Sequence, residues 1–210
     1  MERELEKYLF DHSTPEDPVL KDLYRQTYIR FINPNMVCGH LQGKLLELVS
    51  KMINPSTVLE IGTFTGYSAI CLARGLKADG RLLTIELNDE LADFTKSYFQ
   101  RAGIAEKIVQ LTGRAQDIIP GLTEVFDLVY IDGDKREYSE YYNLVIEKIK
   151  PGGYIIADNV LWDGKVVLKR TRDHQAKGII EFNEMIKKQD NVEYVILPVR
   201  DGLMLIRKTF

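Results

Sequence analysis

The sequence predicts an α/β fold with a doubly wound, mainly parallel β-sheet, and three observations support this prediction. Helical and apolar stretches alternate from Thr57 onward. Most of the predicted strands are continuous apolar runs, as is typical of parallel strands that are buried on both faces. The last two runs are separated only by the turn Arg200-Asp201-Gly202, which predicts an antiparallel hairpin at the end of the chain.

Residues 1–55 are predicted to form helices that precede the sheet. Asp17-Pro18 provides an N-cap residue and a first-turn proline, and Asn33-Pro34-Asn35 ends that helix. A further helix stops at Asn54-Pro55. Its apolar residues, at helical spacing, predict one packing face formed by Leu41, Leu45, Leu48, Val49 and Met52. We predict a helical cap, 1–55, and a core, 56–210, within one domain that spans 1–210.

The core is predicted to be a Rossmann-like, seven-stranded sheet. Its strands are expected near 57–61, 81–86, 107–111, 126–131, 154–157, 192–199 and 203–208. Helices are expected near 67–77, 89–102, 137–149 and 175–189, and one or two helical turns near 115–119. Gly152-Gly153 is expected where a helix gives way to a strand.

Composition limits the class of protein. The chain has 210 residues, of which 45% are hydrophobic and 28% charged, and a net charge of −3, which disfavours a nucleic-acid partner without excluding one. No apolar run approaches the ~20 residues of a membrane helix, and no signal peptide is expected after the charged start Met1–Glu4. Cys38 and Cys71 lack metal-ligand spacing and predict reduced thiols. Together these features predict a cytoplasmic protein without a membrane partner.

The stretch Val58–Ser68 carries the first functional motif. An apolar strand contains Glu60 near its end, and a loop with Gly62 and Gly66 leads into a predicted helix. Glycine allows a backbone to pass close to a ligand, and a helix start offers free N–H groups. The motif predicts a cofactor loop at the carboxyl end of the first strand. The alternative is a tight strand–helix turn that binds nothing.

A second acidic residue, Glu86, ends the next predicted strand. A carboxylate at this place can accept hydrogen bonds from both hydroxyls of a ribose. The loop lacks the third glycine of a dinucleotide site, and Glu60 would repel a pyrophosphate. Glu60 instead suits a ligand with an ammonium and a sulfonium group. The sequence therefore favours S-adenosylmethionine over a nicotinamide dinucleotide.

The fourth and fifth predicted strands end in polar residues that indicate a metal. Asp132 follows one strand, and Asp158 and Asn159 follow the other. Neighbouring parallel strands bring their carboxyl ends together, so two carboxylates and an amide oxygen form a set suited to a hard cation such as magnesium, manganese or calcium. Lys135 is near enough in sequence to reach the same substrate, and a desolvated lysine beside a metal can act as a base.

These motifs resemble those of the metal-dependent class I O-methyltransferases, the group of catechol and caffeoyl-CoA O-methyltransferases, in their bacterial form. The resemblance covers the chain from about Ser13 to Lys208. It rests on Leu59–Ser68, Asp132-Gly133-Asp134-Lys135, Pro151-Gly152-Gly153 and Asp158–Gly164. It implies methyl transfer from S-adenosylmethionine to a hydroxyl of a phenolic, catechol-like small molecule, aided by a divalent metal, in a homodimer.

The resemblance also implies residue roles. Asp132, Asp158 and Asn159 match metal ligands, and Lys135, with Asp132, matches the catalytic pair. Cofactor contacts are implied for Val37, Glu60, Gly62, Thr63, Ser68, Glu86, Ala115 and Asp132. Acceptor contacts are implied for Asp134, Trp162 and Asp163; Trp162 could equally close its loop. Gln42 stands where the family commonly has glutamate, and His40 beside it is expected on the surface.

Other functions remain open at this point. A methyltransferase of the same fold could act on a hydroxylated RNA base, which would need a basic rim around the pocket. A nicotinamide-dependent oxidoreductase is disfavoured by Glu60 and the missing glycine, and a binding module without catalysis by the set around Lys135. The basic run Lys165, Lys169, Arg170 and Arg172 is interpreted as a solvated surface or a docking patch for an acidic acceptor.

Overall fold

A computed structural model describes residues 2–168 and 170–210 of the chain. Three helices precede the sheet: α1 (Glu2–Asp11), α2 (Pro18–Arg30) and α3 (Gly39–Ile53). α2 begins as predicted, because the Asp17 carboxylate accepts a hydrogen bond from the Val19 N–H at 2.8 Å, and Pro18 occupies the first turn. Asn33 has a left-handed backbone (φ 56°), so the chain turns sharply between α2 and α3.

Seven strands form one sheet in the order β3-β2-β1-β4-β5-β7-β6. They are β1 (Thr57–Ile61), β2 (Arg81–Glu86), β3 (Ile108–Thr112), β4 (Phe126–Ile131), β5 (Ile149–Asp158), β6 (Val192–Leu197) and β7 (Leu203–Lys208). All neighbouring pairs are parallel except those made by β7, which lies antiparallel between β5 and β6. The predicted fold class is confirmed. The strand order reverses between β1 and β4, and such a reversal opens a crevice at the carboxyl ends of the two strands.

Helices cover both faces of the sheet. The remaining ones are α4 (Tyr67–Ala73), α5 (Ala92–Arg101), α6 (Ala115–Ile118), α7 (Tyr138–Ile146) and α8 (His174–Ile186). One apolar core lies between the sheet and α6, α7 and α8, and the other between the sheet and α2, α3, α4 and α5. Two such layers explain why β1 and β4 are apolar on both faces.

The predicted boundary between the seventh helix and β5 was wrong. α7 ends at Ile146 and β5 already begins at Ile149, so the glycine pair lies inside the strand. The register shifts here, because Phe126 pairs with Ile149 whereas Leu128 pairs with Tyr154. Gly152, at φ 77°, accommodates the extra residues as a bulge.

The predicted packing face of α3 was partly correct, because Leu45 and Val49 pack against the apolar core. Leu48 and Met52 are 50% and 76% exposed, whereas Gly43 and Ser50 are buried against α4. A Cβ on Gly43 would lie 2.5 Å from the Tyr67 ring, and the Ser50 hydroxyl donates to a carbonyl of α4. Small residues therefore let the two helices approach closely, and this close packing selects the buried face.

Among the described helices, none combines the length and the apolar character that crossing a bilayer requires.

Candidate functional site

The loop after β1 surrounds a buried acid. Glu60 is fully buried, and its Oε2 accepts a hydrogen bond from the Thr84 hydroxyl at 2.6 Å. Thr84 also bonds to the Thr63 hydroxyl. Burial raises the pKa of Glu60 to about 8, against the opposing effect of the nearby Ser68 and Thr84 hydroxyls. Within the described structure, Glu60 Oε1 has no hydrogen-bond partner. A buried acceptor without a donor is costly, so this oxygen is suited to receive a ligand cation.

The two loop glycines are required by packing within the protein. A Cβ on Gly62 would lie 2.2 Å from the Asp132 carbonyl oxygen, and Gly62 has φ 99°. At Gly66 (φ 88°), a Cβ would lie 2.7 Å from the Phe99 ring. Glycine at these positions allows the loop to pack directly against the end of β4 and against α5, a reason different from the predicted close approach to a ligand.

Glu86 is held in place at the end of β2. Its two carboxylate oxygens accept backbone hydrogen bonds from Phe64 at 2.8 Å and Asn88 at 2.9 Å. A narrow cleft adjoins it at the carboxyl ends of β1, β2 and β3. The cleft is lined by Thr63, Phe64, Thr84, Glu86, Asn88, Leu91, Ala92, Thr95, Gln110, Leu111 and Thr112.

The other two predicted cofactor contacts lie on segments that border the crevice. Val37 is buried in the segment that leads into α3, and Ala115 is buried at the start of α6. Of the predicted cofactor residues, the structure places Glu60, Gly62, Thr63 and Asp132 at the carboxyl ends of β1 and β4, where the strand order reverses, but it tests none of their roles.

At the end of β4, Lys135 lies buried between two oxygens. Its amine donates to Asp132 Oδ1 at 2.6 Å and to the Tyr138 hydroxyl at 2.7 Å. The Tyr138 hydroxyl in turn donates to the Asp158 carbonyl oxygen at 2.9 Å. The buried tyrosine thus joins the ends of β4 and β5 below the lysine.

The Asp158 side chain is fixed by three hydrogen bonds. Its Oδ2 accepts from the Tyr130 hydroxyl at 2.8 Å and from the Gln42 amide at 2.5 Å, and its Oδ1 accepts from the Asn159 N–H at 2.7 Å. Asn159 itself has a left-handed backbone, φ 56°. Burial and the nearby Asp158 charge raise the pKa of Asp132 to about 6, although Lys135 acts in the opposite direction.

The two aspartates lie at the ends of adjacent parallel strands, because Ile131 pairs with Ala157. Mutual repulsion of buried carboxylates is relieved by a cation. Among the described residues, no group of three or more histidine, cysteine or acidic side chains is arranged to hold a metal. The predicted set has two carboxylates and takes its third oxygen from the Asn159 amide, so its donor chemistry suits a hard cation.

Sequence reasoning missed Gln42, Tyr130 and Arg200. All three belong to the network around Asp158, since Arg200 donates to the Gln42 side-chain oxygen at 3.2 Å. Tyr130 is part of an apolar strand pattern, and Gln42 lies far from Asp158 in sequence. A polar residue on the buried side of α3 would have been a signal, but the wrong side was predicted to be buried.

The loop after β5 differs in part from expectation. The Trp162 indole N–H donates to Asp173 at 3.0 Å, and Lys165 pairs with the same carboxylate at 2.8 Å, which agrees with a loop-closing use of Trp162. The Asp134 carboxylate accepts hydrogen bonds from the Arg136 guanidinium, which lowers the pKa of the Asp134 carboxyl. The acceptor contacts of Asp134, Trp162 and Asp163 stay predictions.

An open groove of about 490 Å³ adjoins this loop. It is lined by Leu161, Asp163, Gly164, Val166, Val167, Arg200 and Asp201.

In the predicted basic run, Arg170 and Arg172 are exposed, and Lys169 lies outside the described residues. The expectation that His40 lies on the surface was wrong. His40 is 8% exposed and stacks on Phe10 with ring centroids 5.7 Å apart.

The fold and this site define a class. The doubly wound sheet, with a buried acid at the switch point and a strand-end acid beside a narrow cleft, is typical of a Rossmann-like transferase with a nucleoside cofactor. The sequence profile described as O-methyltransferase matches residues 10–209. The chain belongs to the O-methyltransferase family, and the predicted resemblance is confirmed.

Individual relatives agree with this assignment. A catechol O-methyltransferase of Niastella koreensis is 38% identical over 160 residues, 74% of this chain and 72% of the relative. Caffeoyl-CoA O-methyltransferase 1 of Eucalyptus globulus is 35% identical over 178 residues, 80% of this chain and 72% of the relative. The crystal structure of TomG from Streptomyces achromogenes, an O-methyltransferase of tomaymycin synthesis in complex with S-adenosylmethionine, superposes with a TM-score of 0.92 at 33% identity, covering 99% of this chain and 96% of that one.

Proposed function

We propose that this O-methyltransferase transfers the methyl group of S-adenosylmethionine to a hydroxyl of a catechol-like small molecule, with a divalent metal at Asp132, Asp158 and Asn159. The observation that carries the proposal is the presence of two sets of groups at the ends of the adjacent strands β2, β1, β4 and β5. Glu60 and Glu86 form the donor side, and Asp132, Lys135 and Asp158 form the acceptor side.

The donor side fits S-adenosylmethionine. The unpartnered Glu60 Oε1 is a buried acceptor, and an ammonium group is the donor that it lacks. Glu86 lies at the neighbouring strand end beside the cleft and is suited to the ribose hydroxyls. The S-adenosylmethionine complex of TomG supports the same donor.

The acceptor side fits a divalent cation. Three of the four acceptor positions of the Asp158 carboxylate are used by Tyr130, Gln42 and Asn159, which leaves Oδ1 able to bind one further group. Asp132 Oδ1 accepts a hydrogen bond from Lys135, so Asp132 Oδ2 would be the oxygen that binds the cation. When bound, a divalent cation would lower the pKa of a phenolic hydroxyl and orient an ortho-diphenol.

Lys135 is the proposed base. Its contacts with Asp132 and Tyr138 hold the amine beside the space between the two aspartates. In its neutral form the amine would accept the proton of the acceptor hydroxyl while the acceptor oxygen bonds to the methyl carbon and the methyl–sulfur bond breaks. Burial of the site excludes water from this step, in which the charges of phenolate and sulfonium disappear together.

The groove beside Leu161 and Asp163 is a suitable place for the rest of the acceptor. Its volume of about 490 Å³ lies in the range of small-molecule pockets. Its lining combines apolar side chains with the carboxylates of Asp163 and Asp201 and a single arginine, Arg200, which suits a small phenol better than the phosphate backbone of RNA.

The test is a methyl-transfer screen with radiolabelled S-adenosylmethionine over catechols, hydroxycinnamates and RNA, each with and without a chelator. We expect turnover on at least one catechol, lost in chelator and restored by excess Mg²⁺. Turnover that persists in chelator would exclude the metal, and methylation of RNA alone would replace the acceptor class.

We also propose that a second copy of the chain covers the outer face of α3. Leu48 and Met52 are apolar and exposed there, next to the partly exposed Leu45 and Val49. A helix face of this kind can pair with itself across a two-fold axis. Light scattering after size exclusion should give a dimer for the native chain and a monomer for Met52→Glu; a monomeric native chain would refute the proposal.

A further inference from the structure

Arg200 lies at a junction between three segments around the predicted acceptor site. It is in the turn between β6 and β7 and has a left-handed backbone, φ 49°. Its guanidinium donates to the carbonyls of Val37 and Cys38, which precede α3, and to the side-chain oxygen of Gln42. A non-glycine residue in this conformation is uncommon.

Gln42 carries the contact inward. Its side chain is almost fully buried, at 1% exposure, and lies between Arg200 and Asp158. Arginine can only donate, so the amide oxygen faces Arg200, at 3.2 Å. An ionised carboxylate can only accept, so the amide nitrogen faces Asp158 Oδ2, at 2.5 Å. Both partners therefore select the same orientation of the amide.

The same turn holds the loop that follows Asp158. The N–H groups of Val160 and Leu161 donate to the carbonyls of Gly202 and Asp201 at 3.1 Å and 2.9 Å. The Asp163 N–H donates to the Asp201 carboxylate at 2.6 Å. Asp158 is thus connected to the 200–202 turn in two ways. Gln42 links its carboxylate to Arg200, and the loop that follows Asp158 hydrogen-bonds to Asp201 and Gly202.

We propose that Arg200 and Gln42 are positioning residues that hold the Asp158 carboxylate in the geometry needed for the divalent cation and the acceptor. The inference rests on the proposed function, since it assigns these residues to the same site. It extends the site to the β6–β7 turn, which no motif of the sequence marks. Groups that orient metal ligands typically change metal affinity 10- to 100-fold when removed.

The experiment measures the dissociation constant of Mn²⁺ by electron paramagnetic resonance on the full chain without acceptor. The variants are Gln42→Leu, Arg200→Ala, the double variant and Asp158→Ala. Arg207→Ala is the matched control, because Arg207 pairs with Glu193 on the same hairpin, and both side chains are exposed. Thermal unfolding of each variant shows whether it is folded, and Arg200→Ala, at an exposed position, keeps the test possible if Gln42→Leu does not fold.

We expect Gln42→Leu to weaken Mn²⁺ binding about ten-fold or more, and Arg200→Ala to weaken it several-fold. Because the guanidinium acts through the amide, Arg200→Ala should have little further effect in the Gln42→Leu background. Arg207→Ala should bind Mn²⁺ like the native chain. A structural role alone would lower the unfolding temperature without this non-additive change in Mn²⁺ affinity.

The outcomes separate the inference from the function on which it rests. If the native chain binds Mn²⁺, Asp158→Ala does not, and both Gln42→Leu and Arg200→Ala bind it normally, the positioning role is refuted and the proposed function stands. If the native chain does not bind Mn²⁺ and its turnover is unchanged in chelator, the metal assignment and the inference fall together. Additive effects of the two substitutions on Mn²⁺ affinity would refute the inference that Arg200 acts through Gln42.

Discussion

The buried Glu60 makes cofactor affinity depend on pH in a way that can be measured. Without ligand, burial raises the pKa of Glu60 to about 8, so the carboxyl is mostly protonated at neutral pH. A ligand ammonium placed at the unpartnered Oε1 favours the ionised form. Binding therefore releases a proton below pH 8, and affinity rises as pH increases toward that value.

The magnitude follows from the titration of a single group. With a pKa of about 8, roughly 1% of Glu60 is ionised at pH 6 and about half at pH 8. If only the ionised form binds the ligand, the apparent affinity should rise about 50-fold between these pH values. In Glu60→Gln the affinity should be weaker at pH 8 and almost independent of pH, because no proton is exchanged.

Calorimetric titration with S-adenosylhomocysteine, which retains the amine and does not react, is the assay. Glu47→Gln is the matched control: Glu47 is also buried, but hydrogen bonds from Lys44 and Lys51 lower the pKa of its carboxyl, so it is ionised throughout this range. Glu47→Gln should keep the native pH dependence. A native affinity that does not change between pH 6 and 8, or the same slope in Glu60→Gln, would refute the reasoning.

Four further outcomes are expected. Glu60 has a folded-state pKa above its value in the unfolded chain, so its contribution to stability falls as pH rises from about 4.5 to 8. In thermal scans of the ligand-free chain, the unfolding temperature of Glu60→Gln should therefore rise relative to that of the native chain over this range. Asp158→Ala should abolish chelator-sensitive turnover, assayed by methyl transfer, and leave most affinity for S-adenosylhomocysteine. Lys135→Met should lower kcat about 10²- to 10⁴-fold, and unchanged kcat would exclude it as the base. Gly62→Ala should reduce the free energy of unfolding by about 2 kcal/mol or more in urea, because its Cβ meets a carbonyl oxygen at a left-handed backbone position.

Local patterns in the sequence were sufficient where the physical cause is itself local. The N-cap at Asp17 is one example, because its carboxylate bonds to N–H groups two and three residues ahead. The apolar strands are another, since burial on both faces leaves a continuous run of apolar residues. The location of Asp132 and Asp158 at neighbouring strand ends could also be predicted, because parallel neighbours in a sheet bring their carboxyl ends together.

Tertiary contacts decided the features whose causes are distant in sequence. The buried face of α3 was predicted wrongly at Leu48 and Met52, which hydrophobicity favoured, while Gly43 and Ser50 were selected by their small size against α4. The early start of β5 was missed because a glycine pair has the same appearance in a turn as in a bulge.

What the sequence by itself determined is the fold class, the family and the strand ends where the candidate groups meet. What only the tertiary structure decided is how those groups are held. The line from Arg200 through Gln42 to Asp158, and the hydrogen bond from the Tyr138 hydroxyl to the Asp158 carbonyl, depend on distances of about 3 Å between segments far apart in the chain. The lack of a donor at Glu60 Oε1 is likewise a property of the folded chain. Burial also changes the protonation of Glu60, and burial is a property of the folded chain that no local pattern contains.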